Sequence, residues 1–469
     1  MIFSFKYRPK TLRLVKTGGG QLQPRWYLLC VVLLVIGLIL RQPLLEVGGI
    51  VVLIVLGITD IWAKYCLQHV KFQRRLSEKQ VLFGEEITLS LTVENSKLLP
   101  LSWLEVEDTI PSVLTIKGQK LQATTLSNQS VLSSLFSLRW YERVTRRYTL
   151  QCKQRGIYTF GPTTLRSGDV FGFIERHIRF NTPQHLLVYP LIIPLASFGL
   201  PARHPFGERR APRRLLEDPS RIVGVREYAY GDSLRRIHWK ATARTLQLQS
   251  KVYEATTTYT LVIFLNIVVR LDAHYGINPE IQELSISAAA SVADWAIDQG
   301  YATGLYANTI MSIPDEKPPV AGEEDLDPPT LEARIQAQLK RRRVHLPPSS
   351  SEEQRKRIME TLARTQTYFG SGIEDVIQAE HTRLPIGSSI VIITGSISEQ
   401  LVDTLIQMRR SGHAVAILFV GGTPPPIKLA GVTIYHLGGN ETWQRLTAAY
   451  DKDTPSNVES VDASLEFQL

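Results

Sequence analysis

Two apolar segments close to the N terminus constrain this chain more than any other feature. Residues 26–40 carry no charge, and a second apolar stretch covers residues 44–63 after a three-residue break. The second stretch holds ~20 residues, which is enough at 1.5 Å per residue to cross roughly 30 Å of hydrocarbon. The first is shorter and relies on flanking arginines that extend toward the interface. We therefore predict a transmembrane helical hairpin over residues 26–63, which places the chain in a lipid bilayer.

The flanking charges predict the orientation of this hairpin. A cleaved signal peptide is the alternative for the first segment, but no small-residue cleavage site follows it. Basic residues precede and follow the hairpin, whereas the turn holds only Arg41. They are Lys6, Arg8, Lys10, Arg13, Lys16 and Arg25 before it, and Lys64, Lys71, Arg74 and Arg75 after it. The positive-inside rule then predicts a multi-pass protein of the cell (inner) membrane with a basic cytoplasmic N terminus over residues 1–25 and its soluble domains in the cytoplasm.

The length and composition of the chain predict two folded domains in addition to the hairpin. A chain of 469 residues exceeds what one core organises, and 44% hydrophobic residues exclude wholesale disorder. The three cysteines, Cys30, Cys66 and Cys152, give neither a disulfide framework nor a metal knuckle. A formal net charge of +9 fits anionic lipid, nucleic acid or an acidic protein as a partner, and charge alone does not choose among them.

The pattern after the hairpin is that of β-strands. Apolar and polar residues alternate over residues 87–94 and again over residues 147–153. Turn residues separate short segments of this kind, as at Asn95 and Gly161-Pro162. We predict an antiparallel β-sandwich over residues 64–190.

A stretch rich in Pro and Arg follows at residues 191–220, and it is predicted to be a linker because it shows neither periodicity. Its arginines between 203 and 214, with a second basic cluster at 340–343, give an alternative function: binding of anionic lipid or nucleic acid. Blocks of like charge are more often solvated, so nucleic acid is not favoured.

Residues 221–450 have the pattern of an α/β domain. Continuous apolar runs alternate with helical segments, which predicts a parallel sheet covered on both faces: a three-layer, Rossmann-like fold. The runs and segments are residues 261–269, 280–299, 301–308, 389–394 and 414–420. Ser396 to Glu399 match a capping box, and Gly412 ends the helix that this box begins. A flexible insert is predicted at residues 314–348 and a disordered tail at residues 451–469.

The most distinctive segment is residues 221–254. Gly231-Asp232-Ser233 forms a turn whose side chains can accept N–H bonds at a helix start. A helix is predicted from residue 234 to about residue 244. Its apolar face would hold Leu234, Ile237 and Ala241, and its basic stripe Arg236, Lys240 and Arg244. The stripe either docks an acidic protein surface or is neutralised within the domain by Glu227, Asp232 and Glu254.

His238 and Trp239 lie in the same predicted helix. A histidine beside a tryptophan is more often a packed residue than a catalytic base, since no nucleophile or second histidine accompanies it. The chain also lacks a G-x-x-x-x-G-K-[ST] loop, H-E-x-x-H, G-x-S-x-G and C-x-x-C. A hydrolase centred on His238 and Asp232 is thus disfavoured, and we predict that the chain is not an enzyme.

The same segment resembles a known family. Arg226-Glu227-Tyr228, Gly231-Asp232-Ser233, Ile237-His238-Trp239-Lys240 and Ala243-Arg244 are similar to the signature of the domain of unknown function 58 family. Upstream, residues 155–158 and 168–172 also resemble motifs of that family. The resemblance implies a prokaryotic, in this case bacterial, protein. It further implies a von Willebrand factor A-like C-terminal domain and a MoxR-type AAA+ ATPase as partner.

Von Willebrand A domains often bind a divalent cation through Asp-x-Ser-x-Ser after the first strand and an Asp after a later strand. The corresponding positions here are Asn266, Val268 and Arg270, with Gly395 after the later strand. We therefore expect a degenerate site with no metal and no cofactor. The overall prediction is a non-enzymatic membrane-anchored scaffold or adaptor that binds the ATPase or its client through Arg236, Lys240 and Arg244. The sequence leaves the client and the oligomeric state open.

Overall fold

The protein forms two compact units, residues 1–189 and residues 190–469. In the computed structural model the described residues are 14–15, 24–40, 42–117, 122–123, 128–169, 174–201, 206, 216–230, 232–256, 259–267, 278–314, 337, 339–367, 372–385, 387–425, 429 and 431–452.

Unit 1 begins with two apolar helices, α1 (Pro24–Leu40) and α2 (Pro43–Tyr65). They pack against each other: the Tyr27 hydroxyl donates to the Leu56 carbonyl over 3.3 Å. Gly49 lies so close to Leu34 that a Cβ atom at this position would be 2.8 Å from the Leu34 Cγ. Only α2 is long and apolar enough to cross a membrane among the described helices, since α1 is a shorter apolar helix. The predicted span over residues 44–63 therefore meets the expectation on length, and the predicted span over residues 26–40 does not.

Thirteen strands make up the rest of this unit where it is described. They are β1 (Leu14–Val15), β2 (Val70–Leu76), β3 (Gln80–Val81), β4 (Glu86–Asn95), β5 (Leu101–Pro111), β6 (Thr115–Ile116), β7 (Gln122–Ala123), β8 (Gln129–Leu138), β9 (Arg143–Gln151), β10 (Gly156–Phe160), β11 (Thr163–Gly168), β12 (Glu175–Phe180) and β13 (Gln184–Val188). Three sheets result, with the orders β1-β12-β11-β5-β8-β7, β2-β4-β9-β6 and β10-β13-β3. All pairings are antiparallel except that of β3 with β13.

The alternating residues form the core of these sheets, as the period of two predicts. Leu89, Leu91 and Val93 are fully buried, and Leu150 and Cys152 are buried in the same cluster. The end of α2 joins that core, because Cys66 is fully buried in it and Trp62 packs against it. The helix and the sheets of unit 1 thus share side-chain contacts.

A charged pair lies inside the same unit. Arg74 and Asp108 have side chains that are 3% and 0% exposed, and their Nη1 and Oδ1 atoms are 2.6 Å apart. Arg74 also donates to the carbonyl oxygens of Phe160 and Thr182, at 3.0 and 2.7 Å. The Thr163 hydroxyl donates to Asp108 over 2.6 Å. Arg74, which the charge count placed among the basic residues beside the membrane, is therefore an internal crosslink between strands.

Unit 2 contains a two-stranded hairpin and a larger sheet. Its strands are β14 (Leu216–Glu227), β15 (Gln249–Thr256), β16 (Thr260–Leu265), β17 (Ala302–Met311), β18 (Arg343–Ser349), β19 (Thr365–Gln366), β20 (Ser389–Thr394), β21 (Ala414–Val420) and β22 (Thr433–Gly438). Its helices are α3 (Trp239–Thr245), α4 (Pro279–Asp298), α5 (Gln354–Arg364), α6 (Ile373–Glu380), α7 (Glu399–Arg410) and α8 (Asn440–Lys452). Short 3₁₀ helices cover Leu195–Phe198, Leu234–Arg236 and His381–Arg383.

The large sheet has the order β18-β17-β16-β20-β21-β22, in which β16, β17, β20, β21 and β22 run parallel. Strands β18 and β19 add to β17 in the antiparallel sense. Side chains of α6 and α7 share one core with alternate residues of β16, β20 and β21. Helix α4 is buried along most of its length and contacts α5 and α8. The unit is thus a mixed α/β structure with parallel strands, as predicted from the apolar runs.

Four boundaries differ from the prediction. Residues 216–220, the end of the predicted linker, belong to strand β14. Residues 191–201 of the predicted linker are packed, because Leu191 and Phe198 are buried and the Ile193 N–H donates to the Ser291 hydroxyl over 2.8 Å. Residues 343–348 of the predicted flexible insert belong to strand β18. The predicted tail begins inside α8, which ends at Lys452. The remainder of the insert and of the tail lies outside the described residues, apart from short pieces of the insert.

The capping prediction for α7 is wrong by two residues. The helix begins at Glu399, and its N-cap is Ser398, whose hydroxyl accepts from the Leu401 N–H over 3.1 Å. Ser396 lies outside the helix and contacts Thr394 instead. Gly412 follows the helix with a φ of 90°, a conformation that glycine adopts without strain, so the predicted end is confirmed.

Candidate functional site

The distinctive segment forms a β-hairpin whose connection carries a short helix. Strands β14 and β15 pair antiparallel from Leu216↔Thr256 to Glu227↔Gln249. Residues 228–248 connect them and contain the 3₁₀ helix and α3. Gly231, one of the predicted motif residues, lies outside the described residues. The predicted turn and helix therefore close a hairpin of unit 2.

The single helix predicted from residue 234 is interrupted. Residues 234–236 form a 3₁₀ turn, and Ile237 then adopts an extended conformation and forms a β-bridge with Ser250. Ile237 is 4% exposed, so the interruption buries an apolar side chain against the hairpin. Helix α3 begins only at Trp239. Arg236 consequently does not share a helix with Lys240 and Arg244, and the predicted basic stripe is wrong in its geometry.

His238 has a structural role in this arrangement. It is the N-cap of α3, and its Nδ1 atom accepts a hydrogen bond from the Ala241 N–H over 3.0 Å. Its own N–H donates to the Gln249 carbonyl over 2.8 Å, which ties the helix start to β15. This geometry favours the interpretation of His238 as a packed residue.

Asp232 organises the turn before the 3₁₀ helix. Its carboxylate pairs with Arg226 at 2.7 Å and accepts from the Ala229 N–H over 3.2 Å. The Tyr228 hydroxyl donates to the Asp232 carbonyl over 3.0 Å. The Ala229 N–H, together with Arg226, holds the pKa of Asp232 below its usual value. Glu227 is an exposed strand residue, and Ser233 precedes the 3₁₀ helix without a side-chain cap bond.

Large apolar side chains are exposed on the connection. Leu234, Trp239 and Leu246 are 70%, 69% and 90% exposed, and Tyr230 is fully exposed. Lys240 and Arg244 are exposed four residues apart on α3, and among the described residues neither forms an ion pair. We call these six residues the signature surface. A tryptophan is costly to leave in water, so a surface that exposes one beside two cations has the composition of a binding site.

Sequence patterns did not reveal this surface, because Leu234 was assigned to the buried face of a longer helix. The helix break at Ile237 rotates the two segments independently, so spacing along one helix no longer predicts which side chains share a face. Trp239, the first residue of α3, is exposed. Arg236 is half-buried in the 3₁₀ turn.

The second predicted site lies at the carboxyl ends of strands β16 and β20. Asn266 follows β16, and its Nδ2 donates to the Thr394 hydroxyl over 3.0 Å. Asn308 donates to the Asn266 Oδ1 over 2.8 Å and accepts from the Ile267 N–H over 3.0 Å. All three side chains are at most 6% exposed. We call Asn266, Asn308 and Thr394 the amide network.

The amide network occupies the point where the strand order reverses, at which open α/β sheets bind their ligands. Neutral amide and hydroxyl groups satisfy one another there, and Gly395 follows β20 as a buried residue. Val268 and Arg270 lie outside the described residues. Among the residues that are described, no group of three His, Cys, Asp or Glu side chains is placed to hold a metal ion. The arginines between 203 and 214 are also outside the described part, whereas Lys340 is exposed.

Solved structures resemble parts of the fold only remotely. The CARDB domain of a Pyrococcus furiosus protein has 10% identity and a TM-score of 0.17, covering 26% of this chain and 96% of that domain. A non-cellulosomal cohesin from Archaeoglobus fulgidus has 10% identity and a TM-score of 0.17, covering 25% of this chain and 91% of the cohesin. Likeness at this level carries no argument about function.

Two comparisons at the level of sequence found similar proteins. The uncharacterized protein YeaD of Bacillus subtilis (strain 168) is 24% identical over 245 residues, which is 52% of this chain. The match spans only 57% of that relative's length. The family described as "Protein of unknown function DUF58" matches residues 224–328, which include the hairpin connection and the first strands of the large sheet. The chain is thus similar to the DUF58 family over residues 224–328 and to one uncharacterized protein over about half of its length.

Proposed function

We propose that this protein is a non-enzymatic, membrane-anchored adaptor whose α/β unit docks a partner protein through the signature surface. The observation that carries the proposal is the exposure of Trp239 and Leu246 beside Lys240 and Arg244. Aromatic anchors with adjacent cations are enriched at protein interfaces, where the apolar groups supply affinity and the charges supply orientation. The partner proposed is accordingly a protein surface that is acidic around an apolar pocket.

The anchor is proposed to be the helical hairpin in the cell (inner) membrane, with both soluble units in the cytoplasm. Helix α2 has the length and hydropathy of a spanning helix. Strand β1, which precedes α1, pairs with β12 of the same unit that follows α2. That pairing supports a multi-pass hairpin whose two ends lie on one side of the membrane, because β1 and β12 cannot pair across a bilayer.

Two further features support a von Willebrand A-like domain that binds no cation. If β16, β17, β18, β20, β21 and β22 are numbered 1 to 6 along the chain, their order across the large sheet is 3-2-1-4-5-6. This is the strand order of doubly wound α/β folds. That order supports the assignment of a Rossmann-like, von Willebrand A-like domain. The amide network lies where such a domain would bind a cation, and its neutral groups are poor ligands for a hard divalent ion.

The resemblance to DUF58 makes a MoxR-type AAA+ ATPase the partner of choice, with a client of that ATPase as the other possibility. Charge complementarity sets the test. An acidic patch on the ATPase would approach Lys240 and Arg244 and leave Trp239 to be buried at the centre of the contact.

The experiment compares matched variants of the full-length chain in detergent. The MoxR-type ATPase from the same organism is purified, and its co-purification with wild type is compared with that of Lys240→Glu/Arg244→Glu and of Trp239→Ser. We expect each variant to lose at least tenfold in recovery. The control, Lys356→Glu/Arg410→Glu, makes the same charge change at exposed helical positions elsewhere in unit 2 and should retain the ATPase. Equal recovery with all four proteins would refute docking through the signature surface.

A further inference from the structure

A second exposed apolar group lies at one end of the β-sandwich, beside the C terminus of α2. Lys97 donates from its Nζ atom to the carbonyl oxygens of Cys66 and Gln68, at 2.6 and 2.9 Å. The Ser96 N–H donates to the His69 carbonyl over 3.1 Å. The loop at residues 96–100 is therefore fastened to the segment that leaves the helix.

The turn between β8 and β9 joins the same end. Asn95 donates through Nδ2 to the carbonyl oxygens of Leu99 and Arg139, both at 2.9 Å. The Tyr141 N–H donates to the Lys97 carbonyl over 3.3 Å. We call residues 64–71, 96–100 and 139–142 the helix-proximal tip. Since Cys66 belongs to the sandwich core, this tip is held in place relative to α2.

The tip is where unit 1 exposes its aromatic side chains outside the helices. Five large apolar residues of the described sandwich are well exposed: Leu82, Leu98, Leu135, Trp140 and Tyr141. Three of them are at the tip, where Leu98, Trp140 and Tyr141 are 74%, 64% and 65% exposed. Tyr65, the last residue of α2, is a further exposed aromatic residue there, at 44%.

Basic groups surround these side chains. Lys64 and Arg139 are exposed, while Lys71 and Arg143 are exposed but pair with Glu94. The Glu142 carboxylate accepts from the Arg139 N–H and closes the turn. These four cations face two carboxylates, those of Glu94 and Glu142, and the half-buried Lys97 is a fifth basic residue whose Nζ atom is held by the Cys66 and Gln68 carbonyl oxygens. Trp, Tyr and Lys or Arg together are the composition found where proteins meet lipid headgroups.

The length of α2 sets the level of the tip. Its 23 residues extend about 35 Å, which exceeds the roughly 30 Å of hydrocarbon by one helical turn. The last turn of α2, with Lys64 and Tyr65, then lies at the height of the headgroups. The tip begins at that turn and is fixed to it by hydrogen bonds, so Leu98, Trp140 and Tyr141 are at the same level.

We propose that the helix-proximal tip is a membrane-interface site in which Trp140, Tyr141 and Leu98 enter the headgroup layer of the bilayer that α2 crosses, while the surrounding cations contact anionic phospholipid. The inference rests on the proposed anchoring and adds an orientation to it, in which the helix-proximal tip of the sandwich contacts the membrane surface. Its opposite end, where Pro111 pairs with Gln129, is about 33 Å away along β5.

The test places a fluorophore at each end of the sandwich in the full-length chain. Cys30, Cys66 and Cys152 are buried, so an introduced cysteine is the site that labels. Arg139→Cys marks the tip and leaves both aromatic residues in place, and Ser112→Cys marks the far end, where Ser112 is exposed. Each protein is reconstituted into phosphatidylcholine/phosphatidylglycerol vesicles that contain a shallow nitroxide lipid, and quenching of the label is measured.

We expect at least threefold stronger quenching at position 139 than at position 112. Adding Trp140→Ser/Tyr141→Ser to the Arg139→Cys protein should lower its quenching toward the far-end value, and the unfolding midpoint should stay unchanged because both residues are exposed. Equal quenching at the two ends, or quenching that is unaffected by the double replacement, would overturn the proposal while the chain still floats with vesicles. A chain that does not float with vesicles would instead refute the anchor itself.

Discussion

Each of the two units contains a buried polar network, and the two networks differ in charge. The sandwich encloses a full ion pair, Arg74 and Asp108, whereas the α/β sheet encloses the neutral amide network around Asn266. Both are nearly inaccessible to solvent, and both connect strands that are far apart in the sequence. The ion pair carries the cost of burying charge, whereas the amide network gains from satisfied hydrogen bonds without that cost.

Burial acts on the two partners of the ion pair in opposite directions. It raises the pKa of Asp108 and lowers the pKa of Arg74, which means that each charged form is less favourable inside than in water. The Asp108 Oδ2 atom also has no hydrogen-bond partner. In the amide network the Asn266 side chain has a partner for both its oxygen and its nitrogen, and no charge is buried. The charged network is therefore the more sensitive to loss of one member.

The largest predicted effect is that of Asp108→Ala. It leaves the Arg74 guanidinium buried without its counter-charge, and we expect the free energy of unfolding of the sandwich to fall by about 3–5 kcal/mol. Pulse proteolysis in urea measures this in the full-length chain, since the fragments of the two units differ in size.

Replacing both partners sharpens the same prediction. Arg74→Met/Asp108→Leu removes the charges together, and it should restore most of the lost stability because no desolvated ion remains. A single variant that costs under about 1 kcal/mol would show that water reaches the pair and would remove the contrast between the two networks.

The next effect is that of Asn266→Ala. This change deletes two side-chain hydrogen bonds and leaves the Asn308 amide and the Thr394 hydroxyl with fewer partners, at an expected cost of about 1–3 kcal/mol. The same proteolysis assay measures this loss from the fragment of unit 2.

Asn266→Asp is the informative comparison. The introduced carboxylate should destabilise the unit at neutral pH, and the unit should regain stability on acidification, because protonation removes the buried charge. A pH-independent Asn266→Asp variant would argue that the site is already wet.

Lys97 is half-buried, so its charge is intermediate between the fully buried ion pair and the neutral amide network. It should make the free energy of unfolding depend on pH. Burial lowers the pKa of Lys97 to about 8. Above that value the folded protein has released a proton that the unfolded chain keeps until about pH 10.5, so the stability of the sandwich due to Lys97 rises between pH 8 and 10.5. We expect the difference in unfolding free energy between wild type and Lys97→Met to increase over this window. Burial also raises the pKa of Cys152, to about 11, but that contribution is common to both proteins and cancels.

A difference that is flat from pH 7 to 11 would contradict this assignment. It would mean that Lys97 reaches solvent and titrates as it does in the unfolded chain. Lys97→Arg serves as the control, because its guanidinium stays charged throughout and should show no change over the window.

How much of this structure the sequence predicts depends on the distance over which each feature is encoded. Period-two patterns and apolar runs are local, and they predicted strands β4, β20 and β21 correctly. The partner of Arg74 is not local, since Asp108 lies 34 residues away and nothing near Arg74 distinguishes it from the exposed neighbour Arg75.

The candidate site was predicted only in part, and for the same reason. Asp232 and the turn were identified from their residue types, whereas the break at Ile237 depends on Ser250 in the opposite strand. A helical pattern over residues 234–244 is compatible with one helix until that strand is considered. The sequence indicated Asn266 and Gly395 only as positions of a degenerate cation site, and it revealed neither the hydrogen bond of Asn266 to Thr394 nor that to Asn308, because both partners belong to other strands.

The smallest predicted effect is the change in stability of the α/β unit when Mg²⁺ is added. It distinguishes a purely structural amide network from a cation-binding site. A site with a dissociation constant near 1 mM would stabilise the folded unit by about 1.4 kcal/mol at 10 mM Mg²⁺, through linkage of binding to folding. In wild type we expect Mg²⁺ to change the free energy of unfolding by less than about 0.3 kcal/mol. The amide and hydroxyl groups carry no negative charge, and a cation could bind them only by breaking the hydrogen bonds that they make with one another. The measurement is the unfolding free energy of the α/β fragment with Mg²⁺ and with EDTA, and K⁺ at equal ionic strength controls for screening. A stabilisation that Asn266→Ala abolishes would establish a cation site at the strand ends, and the two networks would then both be electrostatic.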